Sequence, residues 1–514
     1  MHKINRFIKN NVMEIFILLL YASISIFFLD EFPFMHSDEA WLSGLSQTVL
    51  KEGRIDLTEP FFDLYPRTPH AIKIFFVALQ TFAIRIFGHN LIGMRMVSLV
   101  SSIFSLCLFY RIIMTRFKDK NFALMTTILL AVDIQFIYAS HIARQESLLL
   151  LISLAAYDYF LRKNPTTRSS AAILAAILSI GIGIHPNSFI VAIPFGLMLF
   201  YRFFKKRANW THIVIFVSVL AAAALFFITL SLWMDPDFIK NYTEYGKTLG
   251  VGQSLLSKFL QIRLFYLKLF LQVSGTYYTP DIRLQLLLMA SAFLFGSAKL
   301  VKSRGDSQAF YPMLGLLGIN IGYMLVGRYN QTSIVFLFPW FYMLMAELLR
   351  PFAKSRKKIL SVLIAATLAI SCFQISIHPG KSYSSYIDDI SSLVPRNARV
   401  LSNLNTGYYF NPENLFDYRN LAHLKENSLS FEDYIDKNGI EYILYPEEMD
   451  IIWNTRPVYN SLYGNPADYY ESMNAFISEK CILLETFWDD TYPVRIVRLM
   501  GQNERTLRIY KVLK

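Results

Sequence analysis

Three ionisable residues follow closely on the first apolar run of the chain. The stretch FPFMHSDEAWLSGL, residues 32–45, places His36, Asp38 and Glu39 just after the run IFILLLYASISIFFL. A positioned carboxylate can remove a proton from a hydroxyl group as a general base. Both acids also open an amphipathic run, so either one could instead favour the positive end of a helix dipole. The fold that surrounds these side chains decides between the two roles.

Further candidates stand at the ends of later apolar runs. They are Arg67, His70, His141, Arg144, Glu146, His185, Arg328 and Tyr329. Ionisable groups near membrane depth are costly unless they are paired or face a cavity, which makes them functional candidates. Structural alternatives stay open for several of them. Arg144 and Glu146 could form an ion pair at a helix end. Arg67 and Arg328 could be interfacial anchors, and His185 could be a packed histidine.

The composition predicts an α-helical protein that crosses a membrane many times. Of 514 residues, 54% are hydrophobic and 15% are aromatic, and the mean hydropathy is positive. This is too apolar for a soluble protein with one core. Several runs approach the ~20 apolar residues that a bilayer span needs. The first run has a basic start and no small-residue cleavage site after it, so we expect an uncleaved membrane anchor.

The formal net charge of +12 raises the question of a nucleic-acid partner. Six short segments between apolar runs hold 22 of the 50 Lys and Arg residues: 1–11, 111–120, 162–168, 202–207, 299–304 and 350–358. Basic loops at span ends mark the cytoplasmic side of a membrane protein. The charge therefore indicates topology, and nucleic acid is not expected.

Placing all six basic segments in the cytoplasm predicts eleven spans, with the N-terminus inside and the C-terminal tail outside. The spans are 12–29, 91–110, 121–138, 146–161, 171–184, 187–201, 210–233, 281–298, 308–326, 332–349 and 359–377. Residues 70–87 contain Lys73 and Arg85, and we expect them to form an amphipathic helix at the outer surface. All the candidate residues then lie on the extracytoplasmic side of the cell membrane.

The tail has a different character from the rest of the chain. Its pieces ARVLSN, SFEDYIDKNG, EYILYP and RIVRLM indicate strands mixed with a helix. We therefore predict a transmembrane domain over residues 1–377, with a large external first loop at about 30–90, and a small extracytoplasmic α/β domain over 378–514. The three cysteines show neither a disulfide framework nor a metal-binding spacing.

Taken in order, five stretches resemble the GT-C membrane glycosyltransferases, in the branch of protein O-mannosyltransferases and the lipid A aminoarabinose transferase. They are HSDEAWLSGLSQTVLKEGRIDL, YPRTPHAIKIFFVALQTFAIRIFG followed by NLIGMRMVSL, HIARQESLLLL, GIGIHPNSF and GRYNQTSIVFLFPW, within about residues 10–350. The resemblance implies a sugar donor on a polyprenyl phosphate in the membrane. It also implies inverting transfer, on the extracytoplasmic face, to a hydroxyl of a protein, lipid or glycan.

The resemblance also implies roles for individual residues. By position, Asp38 is the general base, Glu39 a neighbouring acidic residue and Glu146 the second acidic residue of the site. Arg328 and Tyr329 match a position near the donor phosphate. Substrate contacts are also expected from Arg67, His70, His141, Arg144 and His185.

Two departures concern the donor contacts. This chain reads YPRTPH where the aminoarabinose branch has a Lys-Pro pair, and it has His185 where that branch has a lysine. No cofactor is required by this chemistry, although Asp38, Glu39 and Glu146 could hold a divalent metal. Two other classes stay open: a transporter or flippase of lipid-linked glycans, which predicts mid-span charges and paired broken helices, and a non-catalytic membrane scaffold.

Overall fold

The fold is a bundle of apolar helices followed by a small mixed sheet. The computed structural model describes residues 11–163, 167–248, 251–272, 279–302, 309–327, 329–352, 354–489, 491–492 and 505–513. The helices up to the sheet are Val12–Phe27, Ser37–Glu52, Ile74–Phe87, Leu91–Phe117, Lys120–Ala131, Ile134–Ser140, Glu146–Lys163, Arg168–Ser179, Ser188–Phe204, Trp210–Met234, Phe238–Thr248, Leu255–Leu271, Arg283–Lys302, Phe310–Val326, Phe338–Leu349 and Arg356–Ile375.

Several of these helices have the length and apolar character of membrane spans. Within the described residues, five pass on length and composition, or six if a bent pair counts as one span. Four more apolar helices are shorter: Val12–Phe27, Arg168–Gly183, Ser188–Phe204 and Phe310–Val326. Each of the eleven expected spans coincides with a helix or a pair of helices. Fewer helices meet the criteria of length and composition for a membrane span, since some helices are short and Glu146–Lys163 carries four charged residues.

The helix Ile74–Phe87 occupies the segment that was expected to lie on the membrane surface. It has 14 residues and is not among the helices with the character of a span. Its side chains Phe82 and Ile86 are exposed, whereas Phe76 and Gln80 are buried. The hydroxyl of Ser46 donates a hydrogen bond of 2.8 Å to Gln80, which joins this helix to Ser37–Glu52.

Close backbone approach holds part of the bundle together. Helix Phe310–Val326 packs on Ser188–Phe204 through Gly318 and Gly322, where an added Cβ would lie 2.6 Å from Pro194 Cα and 2.7 Å from Ile190 Cα. Small residues at a spacing of four allow this approach between membrane helices, and van der Waals contact then stabilises the pair.

One buried acid explains the bend between Lys120–Ala131 and Ile134–Ser140, which is 68°. Asp133 lies at the break and accepts hydrogen bonds from the Gln135 backbone N–H at 2.9 Å, the Tyr342 hydroxyl at 2.6 Å and the Gln285 amide at 3.2 Å. A carboxylate at membrane depth is tolerated when its oxygens are satisfied in this way. Asp133 therefore caps the second half of a broken helix.

The C-terminal part is a five-stranded sheet with helices, as the α/β pattern predicts. The strands are β1 Val400–Ser402, β2 Leu415–Asp417, β3 Tyr442–Pro446, β4 Cys481–Trp488 and β5 Thr506–Val512, in the spatial order β2-β1-β3-β5-β4. β1 is parallel to β2 and to β3, while β5 is antiparallel to β3 and β4. The helices are Tyr383–Ser391, Phe431–Asn438, Glu448–Thr455 and Tyr470–Lys480. The expected strand RIVRLM lies outside the described residues.

Candidate active site

The acidic pair opens helix Ser37–Glu52 and points its two carboxylates to different places. His36 is the N-cap residue: its Nδ1 accepts a hydrogen bond from the Asp38 N–H at 3.1 Å, and its own N–H donates to Glu39 Oε1 at 2.8 Å. This is a capping box with histidine as the cap. The side chain of Asp38 is one-third exposed, whereas Glu39 is completely buried.

Glu39 has a structural environment, which differs from the catalytic role implied by the resemblance. It forms a two-pronged ion pair with the buried Arg95, at 2.9 and 2.8 Å, and its Oε2 also accepts the Ala143 N–H at 2.8 Å. Arg95 donates a further hydrogen bond to the carbonyl of Leu29 at 2.8 Å. Because both Glu39 oxygens are engaged below the surface, this carboxylate is not placed to touch a substrate.

Asp38 faces a cavity of about 520 Å³. The walls come from several of the segments that the positive-inside rule places on one side of the membrane. The lining side chains include Asp38, Trp41, Arg67, His70, Lys73, Arg144, Gln145, His185, Asn187, Tyr242, Tyr245 and Lys247. The volume lies within the roughly 300–1,000 Å³ typical of ligand pockets. Among the residues that the structure describes, one carboxylate thus shares the cavity with four cations.

A buried ion-pair cluster forms one cationic wall. Arg67 donates to both oxygens of Glu59, at 3.0 and 3.2 Å, and the Lys73 ammonium donates to the same carboxylate at 2.7 Å. Burial alone would raise the pKa of Glu59, but the charges of Lys73 and Arg67 hold that pKa well below its usual value. Burial lowers the pKa of Arg67, and Glu59 more than compensates, so this pKa is raised. With two cations for one anion, the wall is net positive.

A second group of charges sits against Asp38. Arg144 donates a hydrogen bond to Asp38 Oδ2 and lies 3.5 Å from Glu146 Oε1, which in turn accepts a hydrogen bond from the Thr332 hydroxyl at 2.6 Å. Glu146 is fully buried and does not line the cavity. It therefore acts on the cavity through Arg144, which it orients toward Asp38.

The remaining candidates divide between the cavity and the surrounding scaffold. His70 and His185 line the cavity, and His185 Nδ1 accepts the Asn187 N–H at 3.0 Å. His141 does not line it: its Nδ1 lies 3.0 Å from the Phe32 carbonyl in the interior. Tyr329 donates its hydroxyl hydrogen to the Lys258 carbonyl at 2.6 Å, so this hydroxyl is engaged with the backbone. Arg328 lies outside the described residues.

Sequence reasoning missed several residues of this region. Trp41, Lys73, Tyr245 and Lys247 all line the cavity. Trp41 stands three positions after Asp38 and therefore on the same face of a helix, which is a signal that could have found it. Tyr245 and Lys247 belong to the segment after residue 233, which was expected to be external, and carry no comparable signal.

The carboxylates of the site are matched to arginines and are not grouped with each other. Among the described residues, no set of three or more His, Cys, Asp or Glu side chains is placed to hold a metal ion. Glu39 is paired with Arg95, while Asp38 and Glu146 share Arg144.

Buried histidines predict that the fold loses stability in mild acid. Burial, with smaller contributions from nearby cations, lowers the pKa values of His70, His89 and His141 to about 3. Above pH ~6.5 these imidazoles are neutral in the folded and in the unfolded chain. Below that pH the unfolded chain binds protons that the folded chain does not. Each histidine then lowers the free energy of unfolding by about 1.4 kcal/mol per pH unit. We expect the melting temperature in detergent to fall from pH 7 to pH 5. The buried His378, whose pKa burial lowers to about 4, contributes in the same way, so in His70→Phe the fall should be about one-quarter smaller. A melting temperature independent of pH would contradict the prediction.

Comparison with known proteins finds a family model and several solved structures that are similar to this chain. Residues 70–233 match the family model of dolichyl-phosphate-mannose-protein mannosyltransferases. The fold is similar to the oligosaccharyltransferase of Archaeoglobus fulgidus, solved with a tethered acceptor peptide: the TM-score is 0.57 at 12% identity, over 89% of this chain and 72% of that chain. It is also similar to ArnT from Cupriavidus metallidurans bound to undecaprenyl phosphate, with a TM-score of 0.55 at 11% identity, over 87% and 95% of the two chains. No curated protein sequence matches the chain.

These matches confirm the class that the sequence predicted. The chain has the helical membrane fold of GT-C glycosyltransferases, with a small C-terminal sheet, and it resembles the mannosyltransferase and ArnT branch. Its apolar helices are those of a multi-pass membrane protein, and the similarities support glycosyl transfer as its chemistry.

Proposed function

We propose that this protein is an inverting glycosyltransferase that moves a sugar from a polyprenyl phosphate to an acceptor hydroxyl. One observation carries the proposal: the carboxylate of Asp38 faces the same cavity as Arg67, Lys73, Arg144 and Lys247. A base for a hydroxyl and a cluster of cations for a phosphate are the two requirements of this reaction. The ArnT structure similar to this one holds undecaprenyl phosphate, and AglB from Archaeoglobus fulgidus has been solved with dolichol-phosphate.

A single displacement fits this arrangement. The acceptor oxygen attacks the anomeric carbon, its proton passes to Asp38, and the bond from that carbon to the phosphate oxygen breaks. The electron pair leaves with the polyprenyl phosphate, whose added negative charge Arg67 and Lys73 stabilise. Attack from the face opposite the leaving group inverts the anomeric centre. A covalent sugar intermediate is not needed, so a single carboxylate is sufficient.

Unsatisfied polar atoms at the cavity support the binding of a polar substrate. Nε of Arg144 and Oε1 of Gln145 are buried and have no hydrogen-bond partner in the described part of the chain. Both residues line the cavity. Buried polar groups are normally paired, and an orphaned one costs free energy. A substrate hydroxyl or phosphate oxygen that reaches these atoms would recover that cost.

The proposed location is the extracytoplasmic face of the cell membrane, in envelope glycosylation. The residues around the cavity come from segments opposite the basic loops, such as 111–120 and 350–358. The positive-inside rule then places the cavity and the C-terminal sheet outside.

The transporter alternative predicts broken helices in pairs. Within the described residues there is one bent pair, and the acid at its break, Asp133, is fully hydrogen-bonded by its surroundings. The exposed carboxylate of the cavity is instead at a helix start beside cations. This distribution favours an enzyme over a transporter.

The test is a transfer assay with the purified protein in detergent. Radiolabelled polyprenyl-phosphate-linked hexoses and pentoses are offered with lysate-derived protein, lipid and glycan acceptors. We expect labelled product from at least one pair of substrates, with full activity in excess EDTA, because the cavity's own cations face the donor phosphate. No transfer with any pair, together with no binding of polyprenyl phosphate, would overturn the function. Loss of activity in EDTA with recovery on adding a divalent ion would overturn the metal-independent mechanism.

A further inference from the structure

The C-terminal sheet is fastened to the segment that carries the cationic wall of the cavity. This segment, Glu59–Arg67, begins and ends with an ion-paired residue, since Arg67 bonds back to Glu59. Its middle part makes hydrogen bonds with residues more than 350 positions later in the chain. We propose that Asn420 and Arg419 are positioning residues that hold this segment for binding of the donor phosphate. The proposal rests on the proposed function, because it assigns the C-terminal sheet a part in the same site.

The side chain of Asn420 binds backbone groups of the segment Glu59–Arg67. Its amide nitrogen donates to the Phe61 carbonyl at 3.0 Å, and its amide oxygen accepts the N–H groups of Leu64 at 3.3 Å and Tyr65 at 3.0 Å. The side chain is completely buried. One side chain thus satisfies the N–H groups of Leu64 and Tyr65, which a loop without regular structure would otherwise leave unpaired. It also adds a second hydrogen bond to the Phe61 carbonyl, which accepts the Asp417 N–H at 3.3 Å as well.

Two further contacts come from the helix Phe431–Asn438. The Tyr434 hydroxyl donates to one oxygen of Asp63 at 2.7 Å, and the Asn438 amide donates to the other at 3.1 Å. The segment is therefore tied to the sheet at Phe61, Asp63, Leu64 and Tyr65. Arg67 follows only two residues later, which leaves little chain over which its position could vary.

Arg419 acts on the cavity wall through an aromatic ring. It is buried and forms a two-pronged ion pair with Asp417, at 2.7 and 3.0 Å. Its guanidinium carbon lies 4.4 Å from the centre of a Trp41 ring, and that of Arg67 lies 5.0 Å from the Trp41 ring centre. Trp41 lines the cavity. Arg419 and Arg67 thus contact the same indole, one from the sheet and the other from the cavity wall.

The sheet position of these residues strengthens the inference. Asp417 ends β2, one of the parallel strands, and Arg419 and Asn420 lie two and three residues after it. The carboxyl ends of parallel strands are where α/β sheets place their binding residues. In this protein those residues bind a segment of the membrane domain, so the sheet helps to build the catalytic cavity.

Two measurements on the full-length protein in detergent test the inference. The first is hydrogen–deuterium exchange of peptides covering residues 59–67. The second is the affinity for polyprenyl phosphate, measured without any sugar. In Asn420→Ala we expect faster exchange at Leu64 and Tyr65. We also expect about tenfold weaker binding of polyprenyl phosphate, because Arg67, two residues after Tyr65, loses its fixed position. Tyr470→Phe, which removes a hydrogen bond of 2.7 Å to Asp450 on the β3 and β5 side of the same sheet, is the control and should leave both unchanged.

Arg419 is tested by a matched pair of variants. Arg419→Met should weaken binding of polyprenyl phosphate severalfold, and Arg419→Lys, which keeps a cation beside Trp41, should recover part of the loss. Wild-type affinity in both Asn420→Ala and Arg419→Met would overturn the positioning role while leaving the proposed function intact. If the wild type itself binds no polyprenyl phosphate, both the positioning role and the proposed function fail, and the exchange data then show only whether Asn420 holds the segment.

Discussion

Asp38→Asn is expected to lower the rate of sugar transfer by about 10²–10⁴-fold, the range typical of a lost general base. Asparagine has nearly the same shape and can still accept the hydrogen bond from Arg144, so the cavity should keep its form. It cannot take the proton of the acceptor hydroxyl. The loss should therefore appear in kcat, while binding of polyprenyl phosphate stays within about twofold of wild type.

The control for this variant is Asp56→Asn. Asp56 lies just after the same helix, Ser37–Glu52, but pairs with the exposed Arg54 and does not line the cavity. This variant should keep wild-type activity. Full transfer activity in Asp38→Asn would remove the base from the mechanism and would favour a scaffold or transporter. A loss of polyprenyl-phosphate binding equal to the loss of transfer would assign Asp38 to donor binding instead.

The helical part of the fold follows directly from the sequence. Each apolar run forms a helix because a bilayer leaves no other way to satisfy the backbone. The positive-inside rule predicts that Asp38, Arg67, Arg144 and His185 lie on one side of the membrane. In the structure all four line one cavity. Charge in the loops is a long-range signal, since every crossing must alternate sides.

Glu39 shows why the site could not be completed from sequence. It stands next to Asp38, but successive residues on a helix point about 100° apart, so one carboxylate reaches the cavity and the other the interior. Its partner, Arg95, follows 56 residues later and looks like an interfacial anchor at the start of an apolar run. Nothing local distinguishes an anchor from a buried ion pair.

The contacts of the C-terminal sheet were beyond sequence reasoning for a similar reason. Asn420 has no unusual neighbours in the chain, and its three partners lie more than 350 residues away. Its function depends on the order β2-β1-β3, which sets the end of β2 against the membrane domain. Strand order within a sheet is a tertiary property, whereas the strand pattern of the tail was readable locally.

Arg95→Met is expected to destabilise the folded protein by about 3–5 kcal/mol, the cost of leaving a buried charge unpaired. Arg95 and Glu39 are both fully buried, and the pair joins the start of helix Ser37–Glu52 to the long helix Leu91–Phe117. Methionine fills a similar volume but leaves the Glu39 carboxylate with backbone partners alone. The free energy of unfolding in mixed detergent micelles measures the effect.

The double variant Arg95→Met with Glu39→Gln separates the ion pair from the packing. Once both charges are gone, no buried charge is left without a partner, so the double variant should be more stable than Arg95→Met alone. Lys51→Met is the matched control, because Lys51 lies on the same helix and its partner Glu413 is equally exposed to solvent. An exposed pair of this kind contributes little, and this variant should unfold like wild type. If Arg95→Met also unfolds like wild type, the buried pair does not hold the acidic helix in place, and the orientation of Asp38 must depend on its own contacts, such as those with His36 and Arg144.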